Sequence, residues 1–329
     1  MLLTITPNLC IERTVQVPNF APGAVHRVAP EQLFVNAGGK GINAARVAAH
    51  LGCESRALTW VGRRQKVWFE KQLEREGIAH ELVETEADTR ICLNILSEIG
   101  ANWTKTEIVE AGAPLGVNDG TRMLEKYAAL LPKADLVAIC GSYPPAGDAI
   151  MDSHLTLMAQ MAHRAGKRLL IDGKGRAFEI ALRSKTPIWA IKPNLEEAAA
   201  FLRCEIKTAP QERRAVRDLL RLGVEVVILS CGERGAYLGT ERGIDFVRAP
   251  RIAEVSPVGS GDALVGAFCA KWLQSGDLQT ALRWGVAAGA ANAAQAASAF
   301  VGPSDIEPLL DKVQVETAEL RLMPSSGSN

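Results

Sequence analysis

Residues 135–172 read DLVAICGSYPPAGDAIMDSHLTLMAQMAHRAGKRLLID and contain a complete strand, helix and strand pattern. Residues 135–140 and 168–172 are short apolar runs, and residues 149–165 between them place apolar side chains at helical spacing. A long crossover of this kind joins parallel strands, whereas antiparallel strands can be joined by short turns. The stretch therefore predicts one unit of a parallel α/β sheet.

The same alternation continues on both sides of this unit. Further strands are predicted at residues 1–7, 57–61, 188–192 and 224–230, and further helices at residues 118–131, 210–222, 262–274 and 285–297. Strands that alternate with helices in this way form a sheet with helices packed on its faces. The predicted fold class is α/β, with a doubly wound, mostly parallel sheet flanked by helices.

Two segments, residues 10–35 and 89–110, break this rhythm, because alternating residues there suggest strands with no helix between them. We predict a small antiparallel sheet near the carboxyl ends of the parallel strands, where α/β proteins bind ligands, and expect it to close over them as a lid. One domain is expected over residues 1–322, with the lid as part of it. Residues 323–329 predict a disordered tail.

The composition excludes several classes of protein. The chain has 329 residues, of which 47% are hydrophobic, and its 37 basic and 37 acidic side chains give a formal net charge of zero. A neutral chain has no electrostatic footprint for nucleic acid or for an anionic membrane surface. The seven cysteines are scattered without a C-x-x-C pair, which is typical of a reducing compartment. We therefore expect a cytoplasmic protein with no membrane span and no basic leader.

A glycine-bracketed turn at residues 256–266, SPVGSGDALVG, delivers Asp262 to the first turn of an apolar helix. The small residues Gly259, Ser260 and Gly261 allow close backbone approach, and free N–H groups at a helix start attract phosphate. A carboxylate beside an anion site can accept a proton from a hydroxyl that attacks a phosphoryl group. The alternative is a structural one, because an acidic residue in the first turn is favourable for the helix dipole alone.

A second glycine cluster lies far upstream at residues 36–46, NAGGKGINAAR. Glycines at a strand-to-helix turn are explained by positive φ angles alone, but that explanation does not cover Lys40 and Asn43. Two such clusters at opposite ends of one chain suggest two ligands.

These two clusters resemble, in order and separation, the two signatures of the ribokinase (PfkB) family of carbohydrate kinases, and the resemblance spans nearly the whole chain. Further matches follow in sequence order: Thr89-Arg90, the GSYPP of residues 141–145, Lys192-Pro193-Asn194 with Glu197, and the SCGERG of residues 230–235. The resemblance implies a ribokinase-like fold and transfer of the γ-phosphoryl group of ATP, with Mg²⁺, to a hydroxyl of a sugar or sugar phosphate.

The resemblance also implies roles for individual residues. Asp262 would be the base, and the N–H groups of Gly259, Ser260 and Gly261 would hold the transferring group. The sugar would contact Gly38, Gly39, Lys40 and Asn43, and Glu197 would hold Mg²⁺ through water. The nucleotide would contact Lys192, Asn194, Ser230, Gly232, Gly235 and Asn292. Two of these roles have structural alternatives, because Asn194 and Glu197 also form a capping box, and Asn292 could instead cross-link turns within its Ala-rich helix.

The acceptor is expected to carry a phosphate already, because the motifs are most similar to the subgroup that acts on ketohexose phosphates, such as 1-phosphofructokinase and tagatose-6-phosphate kinase. Arg90 is the expected phosphate ligand, since its planar fork binds phosphate in a bidentate way. Possible helpers are Lys40, Arg27, Ser142 and Arg13. Two departures from the subgroup affect this expectation: Glu12 stands where an Asp is usual, and Cys92 stands where an Asn is usual.

Other functions stay open at this point. One is a degenerate relative that binds a sugar phosphate without chemistry, and another is a kinase of an unphosphorylated sugar or a nucleoside. A nucleotide-dependent oxidoreductase is disfavoured, because no G-x-G-x-x-G follows the first strand. An exposed lid sheet can pair with a second copy, so a homodimer through the lid is possible.

Overall fold

The computed structural model of the protein describes residues 1–99, 102–144, 148–173, 176–184 and 186–320. The strands in these ranges are β1 Leu2–Thr6, β2 Cys10–Gln16, β3 Leu33–Gly38, β4 Ser55–Gly62, β5 Ala79–Thr85, β6 Arg90–Ile99, β7 Asn102–Val109, β8 Leu136–Cys140, β9 Arg168–Asp172, β10 Ala190–Ile191, β11 Val226–Ser230, β12 Gly235–Thr240, β13 Gly243–Arg248 and β14 Gln314–Leu320. The α-helices are α1 Lys40–His50, α2 Lys66–Arg75, α3 Val117–Leu130, α4 Asp148–Arg164, α5 Arg176–Arg183, α6 Leu195–Leu202, α7 Ala209–Leu220, α8 Ser260–Ser275, α9 Leu278–Ala293 and α10 Pro303–Leu310.

The main sheet has the strand order β14-β13-β12-β11-β10-β9-β8-β1-β4-β5. All neighbouring strands from β11 to β5 are parallel, and the remaining three strands, β12, β13 and β14, are joined antiparallel at one end. The strand, helix and strand unit quoted above is β8, α4 and β9, whose strands pair directly. The predicted α/β class with a mostly parallel sheet is confirmed.

Helices cover both faces of this sheet because its strands are apolar on both sides. Leu3 and Ile5 of β1 belong to a core that includes residues of α3, α4 and α7, whereas Leu2 belongs to a second core with residues of α1, α8, α9 and α10. Fully burying one such aliphatic side chain contributes about 1.5–3 kcal/mol. The two cores fix the starts of α1 and α8 against the carboxyl edge of the sheet, which is where the site lies.

A separate sheet, called the lid sheet here, has the strand order β3-β2-β6-β7. The prediction of a lid with purely antiparallel strands is wrong for its centre, because β2 and β6 pair in parallel. The outer pairs, β2 with β3 and β6 with β7, are antiparallel. The chain passes through β3, α1, β4, α2 and β5 between β2 and β6, so the relative direction of β2 and β6 is set by that long connection rather than by a local turn. Strand β3 also runs to Gly38, beyond the expected limit of residue 35.

The Ala-rich helix differs from its predicted bounds of 285–297. Helix α9 begins at Leu278, where Asp277 caps it, and ends at Ala293. The side chain of Asn292 accepts a hydrogen bond from the N–H of Ala299, which stabilises a turn in the chain after the helix. Pro145 and the tail of residues 323–329 lie outside the described residues. None of the helices in the described ranges is long and apolar enough to cross a lipid bilayer.

Candidate active site

The candidate site lies at the carboxyl edge of the parallel strands, where the chain leaves β8, β9, β10 and β11. Ser142 follows β8, Asp172 ends β9, Lys192 follows β10 and Ser230 ends β11. The starts of α1 and α8 meet the same edge, because α1 packs on β1 and α8 packs on α1. This is the edge at which open α/β sheets bind ligands. The fold therefore brings residues from four distant parts of the sequence into one place.

Asp262 lies in the first turn of α8, and only 8% of its surface is exposed. Its Oδ2 accepts a hydrogen bond of 2.8 Å from Nδ2 of Asn43, which lies 219 residues earlier in the chain. Gly259 caps the helix with a φ of +81°, and a Cβ there would lie 2.9 Å from the Cβ of Ser298, so the turn requires glycine. The two glycine clusters found in the sequence thus meet through Asn43 and Asp262.

The N–H groups at the start of α8 are unequal as anion donors. The N–H of Ser260 already donates within the turn to the carbonyl of Pro257, at 3.2 Å. A Cβ on Gly261 would lie 3.5 Å from Nζ of Lys192, so an ammonium group stands next to the helix start. The positive end of the helix and this cation reinforce each other as an anion site.

Lys40, Asp172 and Lys192 form a charge cluster beside Asp262. Asp172 is fully buried, and its Oδ1 lies 3.1 Å from Nζ of Lys192 and 3.4 Å from Nζ of Lys40. Burial alone would raise the pKa of Asp172, but the two ammonium groups lower it below its usual value. Burial lowers the pKa of Lys40, yet the nearby carboxylates, Asp172 first, raise it well above its usual range. Lys40 is therefore charged at neutral pH.

Asp172 was missed by the sequence analysis, although one signal could have found it. It is an acidic residue that ends a predicted apolar strand, and such positions lie at the ligand-binding edge of a parallel sheet. Its partners Lys40 and Lys192 lie 132 residues before it and 20 residues after it in the sequence, so their convergence depends on the tertiary structure.

The pKa of Asp262 is raised from its ordinary 3.8 to about 7. Desolvation by burial is the main cause, and the charge of Asp172 adds to it. Lys40, the hydrogen bond from Asn43 and Lys192 all act in the opposite direction. A carboxylate with a pKa near neutrality is well matched to accepting a proton at neutral pH.

The upstream glycine cluster forms the turn between β3 and α1. Gly38 pairs with Cys10 of the lid sheet, and a Cβ at Gly38 would lie 2.6 Å from the Cβ of Glu12. Gly39 has a φ of +114° and begins α1, which places Lys40 and Asn43 in the first turn of that helix. The glycines therefore have a structural role in the packing of the lid sheet, in addition to any contact with a sugar.

The lid residues proposed for the acceptor are placed as follows. Glu12 points inward, is 7% exposed and accepts a 3.4 Å hydrogen bond from Nδ2 of Asn94. Arg90 donates from Nη1 to the carbonyl of Glu110 at 2.9 Å and from Nη2 to the carbonyl of Asn8 at 3.0 Å, while its Nε is buried without a partner. Arg13 and Arg27 are exposed, and Ser142 is half-buried beside Gly141.

The thiol of Cys92, which replaces the expected Asn, interacts with the thiol of Cys10. The hydrogen bond from Cys10 and the charge of Arg90 lower the pKa of Cys92, against the effect of its partial burial. The two cysteines lie on the paired strands β2 and β6, next to Glu12. The lid position that was expected to offer an amide therefore offers sulfur.

The residues proposed for the nucleotide lie around α6 and the turn after β11. Asn194 caps α6 by accepting from the N–H of Glu197 at 2.8 Å, and Oε2 of Glu197 accepts from the N–H of Asn194 at 2.9 Å. The capping box predicted as the alternative is thus present. Ser230 donates its N–H to the carbonyl of Pro193, and Gly232 and Gly235 begin and end a tight turn with φ angles of +61° and +121°.

Asn292 is 1% exposed, and its amide is engaged within the protein. Its Nδ2 donates to the carbonyl of Val258 at 2.8 Å and to Oγ of Ser260 at 3.0 Å. Its Oδ1 accepts from the N–H of Ala299. The geometry favours the cross-linking role for Asn292, which supports the turn that carries Asp262.

A comparison with known proteins identifies the family of the chain. The family model described as pfkB family carbohydrate kinase matches residues 8–303. The chain belongs to the pfkB family of carbohydrate kinases. The predicted resemblance is confirmed, and so is the expectation of an ATP-dependent carbohydrate kinase.

Three solved structures show how far the similarity of this pfkB-family kinase extends. Phosphofructokinase-2 from Escherichia coli, in complex with substrates and products, is 26% identical with a TM-score of 0.85, over 94% of this chain and 98% of that one. A putative phosphofructokinase from Staphylococcus aureus is 25% identical with a TM-score of 0.79, and the match covers 98% of this chain and 100% of that one. A possible 1-phosphofructokinase from Thermotoga maritima shares the fold at 23% identity with a TM-score of 0.88, and the match covers 98% of this chain and 100% of that one.

Proposed function

We propose that this kinase phosphorylates a ketohexose phosphate of the fructose 1-phosphate, fructose 6-phosphate or tagatose 6-phosphate type, and that Asp262 removes the proton from the attacking hydroxyl. The observation that carries the proposal is the placement of Asp262 at the positive end of α8. It is a buried carboxylate whose pKa is raised to about 7, and the charges of Lys40 and Lys192 act on it. A base in that position accepts a proton where a phosphoryl group would be held.

The other residues of the site would stabilise the negative charge of the transferring phosphoryl group. Negative charge spreads over the transferring phosphoryl group in the transition state, and fixed donors that face it lower the barrier. Lys192 and the N–H groups of Gly259 and Gly261 would supply those donors. Lys40 would stand on the acceptor side, since it directly follows the turn at Gly38 and Gly39. The nucleotide would then lie along Asn194, Ser230, Gly232 and Gly235.

Mg²⁺ fits this site only as an ion shared with the nucleotide. Among the described residues there is no group of three or more His, Cys, Asp or Glu side chains that could hold a metal. Mg²⁺ usually keeps several waters and is bound by one or two carboxylates together with substrate phosphates. Glu197 would hold it through water, and the ion would neutralise phosphate charge. One oxygen of Glu197 already serves the capping box, which fixes the orientation of its carboxylate.

The phosphate of the acceptor would bind Arg90, with Lys40 as the second cation. A guanidinium has five N–H donors, and two hydrogen bonds to carbonyls leave other N–H donors on Nη1 and Nη2 of Arg90. The same hydrogen bonds allow a purely structural role for Arg90 in the lid sheet. In that case Arg90 is not reserved for an acceptor phosphate, and this favours a second candidate function, phosphorylation of an unphosphorylated sugar. Inward-facing Glu12 would bind sugar hydroxyls in either case.

Two features of organisation belong to the same proposal. Residues 1–322 are taken as one kinase domain that includes the lid sheet. The lid sheet is taken as the surface of a homodimer, because its edge strand β7 carries Ile108 and Val109, each 56% exposed. Exposed apolar residues on an edge strand favour pairing with a second copy.

The test is an assay of ADP release with fructose 1-phosphate, fructose 6-phosphate, tagatose 6-phosphate, fructose and ribose as acceptors. We expect turnover with at least one ketohexose phosphate, and we expect Asp262→Asn to lower kcat by about 10²- to 10⁴-fold, the usual contribution of a positioned base. Asp135→Asn is the control, because Asp135 is exposed and precedes β8 at the opposite edge of the sheet. An Asp262→Asn variant that keeps more than about a tenth of the wild-type rate would refute the base.

A further inference from the structure

Arg46 is a fully buried cation in α1 that the proposed function does not use. It lies one turn after Asn43, and all of its side chain is removed from solvent. Nε donates to Oε2 of Glu76 at 2.7 Å, Nη1 donates to Oδ1 of Asn43 at 2.7 Å and Nη2 donates to the carbonyl of Ala37 at 2.6 Å. Its guanidinium also lies 4.4 Å from the ring centroid of Phe300. One side chain thus ties α1 to α2, to the strand before the glycine turn and to the segment after α9.

The contact with Asn43 decides which way the amide of Asn43 faces. A guanidinium only donates hydrogen bonds, and it stays protonated at every accessible pH. It therefore pairs with the oxygen of the amide, which leaves the NH₂ group to donate to Oδ2 of Asp262. In the flipped orientation, NH₂ would face the guanidinium and the amide oxygen would face the carboxylate, so both contacts would be repulsive.

Glu76 explains why a bare cation can be buried at this place. An unpaired buried charge is costly, and Glu76, whose side chain is 8% exposed, supplies the opposite charge. Its Oε1 is buried and has no hydrogen-bond partner. The hydrogen bond between Oε2 and Arg46 is therefore the contact that offsets the negative charge of this buried carboxylate. Glu76 directly follows α2, and its N–H is bonded to the carbonyl of Gln72, so the position of the pair is fixed by the end of that helix.

We propose that Arg46, with Glu76 as its counter-charge, is a positioning residue for phosphoryl transfer: it fixes the Asn43 amide so that it donates to Asp262, and it fixes the carbonyl of Ala37 before the glycine turn. The inference rests on the proposed role of Asp262 as base. Arg46 touches neither substrate in this arrangement and acts through Asn43.

The groups that face Asp262 directly are distinct from this relay. They are Lys40 from α1, Asp172 at the end of β9, Lys192 after β10 and the amide of Asn43. A substitution at Arg46 removes none of the three charged groups, and it weakens the hydrogen bonds that fix Asn43 and the carbonyl of Ala37. Since the hydrogen bond from Asn43 lowers the pKa of Asp262, its loss is expected to raise that pKa and to misorient the base.

The experiment measures kcat, the KM for ATP and the pH profile of kcat/KM for wild type and Arg46→Lys. A lysine keeps the charge for Glu76 but cannot reach Asn43 and the carbonyl of Ala37 as well. For wild type the acid limb of the profile is expected near pH 7. For Arg46→Lys we expect that limb to move up by about one pH unit and kcat to fall about tenfold, since a hydrogen bond to a charged group corresponds to about one to two pKa units. The KM for ATP should change less than about twofold.

Two further variants separate positioning from folding. Glu76→Gln keeps an oxygen for Nε of Arg46 and should shift the limb in the same direction by a smaller amount. Arg283→Lys is the matched control, because Arg283 is a half-buried arginine in α9 that donates to the carbonyl of Leu310, far from α1. It should match wild type in kcat and in pH profile. Thermal unfolding of each variant is recorded by circular dichroism.

A double-mutant cycle completes the test. If Arg46 acts through Asn43, then Arg46→Lys should add no further shift of the acid limb to an Asn43→Ala background. An unchanged limb and kcat in Arg46→Lys, or a full additional shift in the Asn43→Ala background, overturns the inference. Either result leaves the base role of Asp262 standing when Asp262→Asn is inactive, whereas an active Asp262→Asn enzyme refutes the proposed function itself.

Discussion

Replacing Asp262 with Asn should make the protein more stable at alkaline pH while it removes activity. The wild-type side chain is a carboxylate in a desolvated position, and burial raises its pKa from 3.8 to about 7. An asparagine has nearly the same shape, carries no charge, and still offers an oxygen to Nδ2 of Asn43. The substitution therefore removes the cost of holding a buried charge and keeps most of the packing. Such a cost is expected where a residue serves catalysis rather than stability.

The sign and size of the effect follow from the raised pKa. Between about pH 4 and pH 7 the folded protein holds a proton that the unfolded chain has released, so this group destabilises the fold increasingly as the pH rises through that window, and fully above it. A shift of about three pKa units corresponds to about 4 kcal/mol. With an unfolding entropy of about 2.1 cal/mol/K per residue, the chain of 329 residues would gain about 6 °C in Tm.

The assay is thermal unfolding of the ligand-free protein by circular dichroism at pH 8 and at pH 4.5. Asp262→Asn should melt about 6 °C above wild type at pH 8. The difference should shrink to roughly a quarter of that at pH 4.5, where the wild-type carboxyl group is protonated in the folded state. Asp311→Asn, at an exposed position after α10, is the control. If the wild-type protein is as stable as Asp262→Asn at pH 8, or more stable, the raised pKa of Asp262 and the argument built on it are refuted.

Two further predictions concern the lid sheet. Arg90→Ala should raise the KM for a phosphorylated acceptor by about 10- to 100-fold, as expected for a lost charge-assisted contact, and should alter the KM for an unphosphorylated sugar little; equal effects on both acceptors would argue for a structural role alone. Ile108→Lys should convert a dimer to a monomer in sedimentation-velocity experiments, because it places a charge on the exposed edge strand β7. A wild-type protein that already sediments as a monomer at micromolar concentration would contradict the lid dimer.

Much of the site could be predicted because its parts are local. The glycine turn before α8 and the turn before α1 are each readable from a few consecutive residues, and the capping box of Asn194 and Glu197 has a fixed spacing of three. The predicted bounds of β8, of β9 and of the helix between them agree with the structure within one residue, because hydrophobic periodicity reflects burial directly. The family resemblance then connected the two turns to one reaction.

The remaining features depend on contacts between distant parts of the chain. The parallel pairing of β2 with β6, the cluster of Lys40 with Asp172 and Lys192, and the relay from Glu76 through Arg46 to Asn43 leave no periodic or short-range signal in the sequence. Asn292 shows the same limit, since only the fold reveals that its amide holds the turn before Asp262.

The sequence by itself determined the class of fold, the two glycine turns and the identity of the acidic residue at the start of α8, because these follow from local periodicity and from backbone geometry. Only the tertiary structure decided the environment of that residue. The pKa of Asp262 depends on how many water molecules are excluded and on which polar and charged groups stand nearby. Those groups come from three separate parts of the chain, α1, the end of β9 and the residue after β10.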